Sequence, residues 1–302
     1  MNEALPPPFD DMAGCAGSPR ALFKRAEETL AERRSHPPDM SGAVSEALKT
    51  ILYGEEPPPD IVAAGQAIAE AVTAYAHSRA NANEPAYHNQ YHQAEATVAM
   101  GWLCAVARRL GLLDAATAMA GVLAMAGHDL RHDGSNPAAG VLEAHSATLT
   151  VELAARAGLD ESTQATIRRV IMATDPLRCS EERAGDDLIC RLGQEADLFG
   201  SLTPVLGWRL GQSLARETHA VAYDPEPPLD SFAGRLQLLR SRQPASPAGR
   251  QLGLDAAVAD QIATLAIFGD GDPQQGAACL DARPFTEARA DYLAALAAIG
   301  SR

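Results

Sequence analysis

The pattern that most constrains this fold is the spacing of apolar residues, which recur every three to four positions in one segment after another. In the segment that starts at Asp60, for example, Ile61, Ile68, Val72 and Tyr75 fall on one helical face. No stretch shows the alternation of a half-buried strand. Aromatic residues make up only 5% of the chain, so Ala, Leu, Val and Ile must supply most of the core. Such a core favours closely packed helices, and the predicted fold class is all-α.

Proline-rich stretches divide the predicted helices into three regions. Residues 1–59 are predicted to form an N-terminal helical extension, residues 60–222 a helical core, and residues 223–302 a C-terminal helical region packed on that core. The predicted helices are 20–34, 41–53, one from 60 onward, 91–110, 114–127, 141–157, 160–174, 186–200, 204–222, 230–242, 255–268 and 286–299.

Aspartates mark the start of several of these helices. Asp60, Asp114 and Asp160 each precede an amphipathic segment, and each is a predicted N-cap because Asp accepts hydrogen bonds from the free N–H groups of a first turn. The segments 243–253 and 269–285 are rich in Gly, Pro and polar residues and are predicted to be loops.

The net charge limits the kinds of partner that the chain can bind. Lys and Arg number 25 and Asp and Glu number 39, so the formal charge is −14 and the pI is about 5.0. Such a surface repels phosphate backbones and anionic lipid headgroups, so neither a nucleic-acid polymer nor a membrane is expected as a partner. A small phosphate ester remains compatible if a metal ion reverses the field locally. A homodimer is left open.

Cysteine usage and the N-terminus indicate a cytoplasmic protein. The five cysteines are odd in number and form no CxxC pair, which is typical of reduced thiols rather than a disulfide framework or a thiolate zinc site. The first residues lack the basic and apolar regions of a signal peptide. The longest apolar run, 115–127, is shorter than the roughly 20 residues that a membrane span requires.

The histidines are clustered. Of eight in the chain, five lie between positions 88 and 145. His88 and His92 are four residues apart, as are His128 and His132, so each pair would share one helical face. Asp197 lies in an otherwise apolar helical stretch, where an unpaired carboxylate would be costly. Imidazoles and carboxylates without thiolates suit zinc, iron or manganese, with magnesium or manganese at an oxygen-rich neighbouring position.

Five short motifs occur in a fixed order: YHNQYH at 87–92, HDLRH at 128–132, LEAH at 142–145, ATD at 173–175 and EADL at 195–198. They resemble the HD superfamily of metal-dependent phosphohydrolases, and most closely the catalytic domain of class I cyclic nucleotide phosphodiesterases. That family carries YHNxxH, HDxxH, LExHH, ATD and CADL. The resemblance implies an HD-domain, phosphodiesterase-like helical bundle, and it covers neither end of the chain.

The resemblance implies a centre of two divalent metal ions, which could be Zn, Mn, Mg or Fe. His92, His128, Asp129 and Asp197 would hold the first ion, and Asp129 would bridge to the second and so belong to the catalytic group. His88 would be the general acid that protonates the leaving alkoxide. Two metal ions would lower the pKa of a bridging water, which would attack the phosphate in line as hydroxide.

Further residues receive supporting roles from the same resemblance. Glu143 would lie near the second metal ion and contact it through water. His132, Asn136, His145 and Asp175 would support the centre. The sequence departs from the family at several of these places, since the second His of LExHH is replaced by a serine and the spacing after HDxxH is one residue shorter.

The implied activity is hydrolysis of a small phosphodiester, either a cyclic nucleotide or a related diester. The family's purine-binding Gln, followed three residues later by Phe, has no counterpart here, so the leaving group is not specified. Three alternatives stay open. They are an HD-type nucleotidase or nucleoside triphosphate phosphohydrolase, a di-iron oxygenase of the same superfamily, and a regulatory helical domain without catalysis. The oxygenase would need more histidines around its second ion than the chain offers.

Overall fold

The computed structural model of the chain describes residues 18–79, 84–135, 139–175 and 187–300, and these ranges contain fourteen α-helices and no strand. The all-α prediction is therefore confirmed. The helices are α1 (Pro19–Arg33), α2 (Met40–Ile51), α3 (Pro59–Arg79), α4 (Gln90–Arg109), α5 (Ala115–Gly127), α6 (Val141–Arg156), α7 (Glu161–Ala173), α8 (Leu188–Leu202), α9 (Leu206–Ala220), α10 (Phe232–Ser241), α11 (Pro247–Gln251), α12 (Leu254–Ile267), α13 (Pro273–Asp281) and α14 (Phe285–Gly300).

Helix α4 lies at the centre of the fold, and its residues 92–107 are all buried. It packs against α2, α5 and α8, and α5 is buried in turn along residues 118–127. Small residues allow this close packing. A Cβ added to Gly101 of α4 would lie 2.8 Å from the Cα of Ala47 on α2, so the two backbones are in direct contact there. The core has the closely packed, alanine-rich character that the composition predicts.

The N-terminal helices share the core of α4. Phe23 of α1 and Ile51 of α2 are buried within the main hydrophobic cluster. Arg34, which follows α1, pairs with the buried Glu95 of α4, with an Nη2–Oε2 distance of 3.0 Å. The division into three regions stays a prediction, but α1 and α2 pack as parts of one hydrophobic core with the central helices.

The C-terminal helices form a second, smaller hydrophobic cluster that is aromatic. Trp208 of α9 contacts Phe232 of α10 edge to face, with ring centroids 4.6 Å apart. Tyr292 of α14 lies against both rings. Only 2% of Trp208 is exposed, so its ring is a packing element of this cluster.

Arg235 of α10 ties this second cluster to the core. Its buried guanidinium donates to the main-chain oxygens of Ser201 and Thr203 at the end of α8, and to Oε1 of Gln261 on α12. Carbonyls at a helix end have no partner within the helix, so Arg235 supplies the missing donors. Burial lowers the pKa of Arg235 from its ordinary value.

Two of the three predicted N-caps are confirmed. Asp114 accepts a hydrogen bond from the N–H of Thr117 at 2.8 Å, and Asp160 accepts one from the N–H of Thr163 at 2.9 Å. The prediction for Asp60 is wrong, because α3 already begins at residue 59 and Asp60 lies in its first turn. Proline suits that first position, since its fixed φ is helical and its missing N–H would have no partner there.

The prediction of loops at 243–253 and 269–285 is wrong in part, because each segment contains a short helix. Helix α11 begins with Pro247 after the N-cap Ser246, and α13 begins with Pro273 after the N-cap Asp272. A capping residue followed by proline is a start signal. The predictions took the prolines of these segments as helix breakers instead.

The described cysteines Cys104, Cys190 and Cys279 are free, and the first two are buried. Burial raises the pKa of both buried thiols, that of Cys190 to about 12. Across the described ranges, no helix is both long enough and apolar enough to cross a membrane.

Candidate active site

Asn89 sets the position of His92 by capping α4. Its side-chain oxygen accepts hydrogen bonds from the N–H groups of Tyr91 at 3.1 Å and His92 at 3.3 Å. Its amide nitrogen donates to the main-chain oxygens of Pro85 and Ala86, both at 3.1 Å. Such a cap satisfies free donors of the first turn. It therefore fixes the first turn of α4, where His92 is only 3% exposed.

His128 and Asp129 lie in the turn that follows α5. Nδ1 of His128 donates to the main-chain oxygen of Met125 at 2.8 Å, so the lone pair of Nε2 is available to a metal ion. The turn presses against α6, because a Cβ on Gly127 would lie 2.2 Å from Oγ1 of Thr150. Glycine is needed at this position for the close approach.

Four donor atoms from three separate parts of the fold converge at one point. Nε2 of His92 lies 2.9 Å from Oδ1 of Asp197 and 3.4 Å from Oδ2 of Asp129. Nε2 of His128 lies 3.3 Å from the same Asp197 oxygen and 3.2 Å from the same Asp129 oxygen. The two Nε2 atoms are 3.3 Å apart. The sequence-predicted ligand set is thus brought together by α4, the turn after α5, and α8.

These separations fit the ligand shell of a metal ion. Two donors held at about 2.0–2.1 Å from a tetrahedral ion lie about 3.3 Å apart. Oδ2 of Asp129 is buried and accepts no hydrogen bond from any described residue, although two imidazole nitrogens are close to it. A buried carboxylate oxygen without a hydrogen bond is costly, and coordination to a cation would satisfy it.

The electrostatics of this group also favour a bound cation. Burial alone would raise the pKa of Asp129 and Asp197, but the adjacent imidazoles, His128 above all, hold the pKa of both carboxyls far below the usual range. Burial alone would lower the pKa of His128, but the same two carboxylates raise it well above its ordinary value. The ionised carboxylates are thus stabilised by positive charge beside them. A divalent ion would supply that charge while the imidazoles stay neutral.

A second group of titratable side chains lies beside the first and consists of His88, His132 and Glu217. Nδ1 of His88 hydrogen-bonds with Oε1 of Glu217, and Oε2 of Glu217 accepts from the N–H groups of Tyr87 at 2.7 Å and His88 at 3.1 Å. The rings of His88 and His132 stack with centroids 3.9 Å apart. The ligand atoms of these three residues lie within 4.8 Å of one another, and so do those of His92, His128 and Asp129, so each set could hold a metal ion.

Glu217 is a site residue that the sequence predictions missed. It lies on α9, within the predicted helix 204–222 but outside every motif. The available signal was its position in a helical stripe with Leu206 and Leu210, which are buried. A glutamate on an apolar face needs a partner, and here the partner is His88.

Glu143 lies within electrostatic range of Asp175 and of the two carboxylates of the centre. Asp175 follows α7 and is 1% exposed. Burial raises the pKa of the Glu143 carboxyl, and the charges of Asp175, Asp129 and Asp197 raise it further. Glu143 is therefore close enough for the charges of these carboxylates to act on it, and its role near a second metal ion stays a prediction.

The remaining predicted residues have different outcomes. The side chain of His145 is exposed on α6 and makes no hydrogen bond or ion pair with another described residue, so its supporting role stays a prediction. Asn136 lies outside the described residues. Ser146, in place of the family's second histidine, is buried and donates to the main-chain oxygen of Leu130 at 3.1 Å.

The centre is open to solvent on one side. The buried imidazoles of His92 and His128 form its floor, whereas the side chains of His88 and Asp197 are 24% and 21% exposed.

Comparison with protein-family models and with curated proteins finds no match to this chain. What the structure shows is an all-helical domain with two adjacent His and carboxylate groups that could hold metal ions.

Proposed function

We propose that this protein is a metal-dependent hydrolase of small phosphodiesters. The observation that carries the proposal is the convergence of Nε2 of His92 and His128 with carboxylate oxygens of Asp129 and Asp197, at separations of 2.9–3.4 Å. Such a donor set suits zinc, iron or manganese. The accessible imidazole of His88 beside the centre adds a group for proton transfer.

The four ligands would hold the first ion. Asp129 would also bind a second ion, which Glu143 would contact through water. Divalent ions held there would lower the pKa of a bound water and neutralise the charge of a phosphate group. Asp129 and Asp197 supply the negative charge that holds the ions, which reconciles an acidic protein with an anionic substrate.

His88 would donate the proton that the leaving oxygen needs. Glu217 holds Nδ1 of His88, so Nε2 is the nitrogen left to face the substrate. The stacking of His88 on His132, with ring planes 20° apart, favours this role over metal binding. Near-parallel rings direct their in-plane lone pairs side by side rather than at one point. In addition, Nδ1 of His132 is already occupied by the hydrogen bond that it accepts from Gly134 N–H at 3.1 Å.

The motif order supports the same reading. The motifs that resemble those of the HD superfamily and of class I cyclic nucleotide phosphodiesterases contain residues that the fold gathers at one centre, namely His88, His92, His128, Asp129 and Asp197. Without the purine-binding pair of that family, the proposal extends to small phosphodiesters as a class. Cyclic nucleotides are one candidate within it.

A substrate panel on metal-loaded protein tests the proposal. With manganese, magnesium or zinc added, we expect hydrolysis of bis(p-nitrophenyl) phosphate or of cyclic AMP or cyclic GMP. His88→Ala should reduce the rate by about 10²–10⁴ while the bound metal stays in place. Release of phosphate from nucleoside monophosphates or triphosphates, with no diester hydrolysed, would identify the nucleotidase alternative. Inactivity on every diester would refute the proposal.

A further inference from the structure

The turn that carries His128 and Asp129 is held by three buried side chains from neighbouring helices. A turn at the end of a helix presents carbonyl oxygens that have no partner within the helix, so outside donors fix its shape. Three side chains donate to main-chain oxygens of this turn. Gln93 Nε2 donates to the main-chain oxygen of Asp129 at 3.0 Å, Ser146 Oγ to that of Leu130 at 3.1 Å, and Thr150 Oγ1 to that of Gly127 at 3.1 Å.

Gln93 differs from the other two donors because it adjoins a metal-ligand residue. It follows His92 directly on α4, so its hydrogen bond joins the helix that carries one ligand to the backbone of another ligand, Asp129. The same Asp129 oxygen accepts the N–H of His132 at 2.9 Å. Gln93 is 4% exposed, which keeps water from replacing its amide.

The side-chain oxygen of Gln93 argues against a role in packing alone. Oε1 is buried and has no hydrogen-bond partner among the described residues. A buried polar atom without a partner destabilises a fold, and a leucine or methionine would fill the same space without that penalty. The Nε2 donation to Asp129 is the feature of Gln93 that an apolar residue could not reproduce.

We propose that Gln93 is a positioning residue for the metal centre. By holding the main chain of Asp129 against α4, it sets the 3.4 Å separation between Oδ2 of Asp129 and Nε2 of His92. Ser146 holds the next carbonyl of the turn from the α6 side. This inference rests on the proposed function, since it requires a metal ion at the four ligands. Residues that orient metal ligands typically change metal affinity about 10–100-fold when they are mutated.

Gln93→Met tests the proposal, because methionine keeps the length of the side chain and removes the donor. We expect zinc affinity, measured by competition with a chelator, to fall about 10–100-fold. The visible absorption spectrum of the cobalt-substituted protein should also change, while the thermal midpoint of the metal-free protein stays close to that of the wild type. Thr97→Val is the matched control. Its hydroxyl donates to the Gln93 carbonyl within α4 at 2.7 Å, so the loss should leave zinc affinity unchanged.

The zinc affinity of the wild-type protein distinguishes failure of the proposed function from failure of the positioning role of Gln93. If wild-type protein binds no zinc, the proposed function fails and this inference fails with it. If wild type binds zinc and Gln93→Met binds it equally well with the same cobalt spectrum, the positioning role is wrong while the metal centre stands. Should Gln93→Met fail to fold, Gln93→Leu replaces it, and unchanged zinc affinity in that variant would overturn the positioning role of Gln93.

Discussion

Glu217 hydrogen-bonds Nδ1 of His88 across 129 residues of chain. The same carboxylate accepts the main-chain N–H of His88 at 3.1 Å, so one side chain fixes both the ring and the backbone of the proposed general acid. His88 is thereby held beside the centre formed by His92, His128 and Asp197. A carboxylate that orients an imidazole in this way controls where its proton is and how easily the proton leaves.

Glu217→Gln should reduce the hydrolysis rate without removing the metal. A general acid contributes about 10²–10⁴ in rate, and the variant is expected to lose part of that factor. Burial alone would lower the pKa of His88, but the Glu217 hydrogen bond raises it. The acid must be protonated to act, so the variant should lose activity at a lower pH than the wild type. A pH–rate profile with an unshifted alkaline limb would contradict this assignment.

The same pair should give the metal-free protein a characteristic pH dependence of stability. Burial alone would raise the pKa of Glu217, but the His88 hydrogen bond lowers it below 4.5, so its contribution is lost as the pH falls. His88 has its pKa raised above 6.5, so its contribution is lost as the pH rises through that raised value. The pair should therefore stabilise most between pH 4.5 and 6.5, by about 1.5–3 kcal/mol.

Unfolding of wild type and Glu217→Gln across this pH range measures the contribution. Glu152→Gln is a suitable control, because Glu152 forms an exposed ion pair with Arg156 at 3.7 Å. That pair should contribute less than about 1 kcal/mol. A difference between wild type and Glu217→Gln that stays constant with pH would show that the pair is not ionised in the folded protein.

Arg235→Met should destabilise the protein strongly. The change removes the donors to the Ser201 carbonyl and to Oε1 of Gln261, two buried oxygens, whereas the Thr203 carbonyl keeps the N–H of Gly207 at 3.2 Å. At about 1–3 kcal/mol for each unsatisfied group, the unfolding free energy should fall by about 2–6 kcal/mol. Arg240→Met, on the same helix but exposed and bonded to Gln274, should change it by less than about 0.5 kcal/mol. Equal effects in chemical denaturation would contradict the role given to Arg235.

The helices and the four candidate ligand residues could be predicted from the sequence because their signals are local. Apolar spacing within each segment located the central helices, and Asp114 and Asp160 marked two starts correctly. The four candidate ligand residues were assigned through the resemblance of their motifs to those of the HD superfamily. Each of these inferences needs only a few neighbouring residues.

The long-range partners were not predictable in the same way. Glu217 and Arg235 acquire their roles only when α9 and α10 fold against distant segments, and an isolated Glu or Arg on a helix has many other uses. Gln93 is equally uninformative in the sequence, since its donation to Asp129 depends on how α4 meets the turn after α5. The helices α11 and α13 were missed for a local reason, because the prolines that open them were taken as breakers.

Metal binding by wild type and by Asp197→Ala tests whether the four converging residues form a metal centre. Elemental analysis and calorimetric titration of metal-free protein with zinc and manganese should show at least one tightly bound divalent ion per chain in the wild type. Asp197→Ala should lose that ion because it lacks one of the four ligands, whereas His88→Ala should keep it. Wild-type protein that binds no ion, or Asp197→Ala that binds it as tightly as the wild type, would contradict the account.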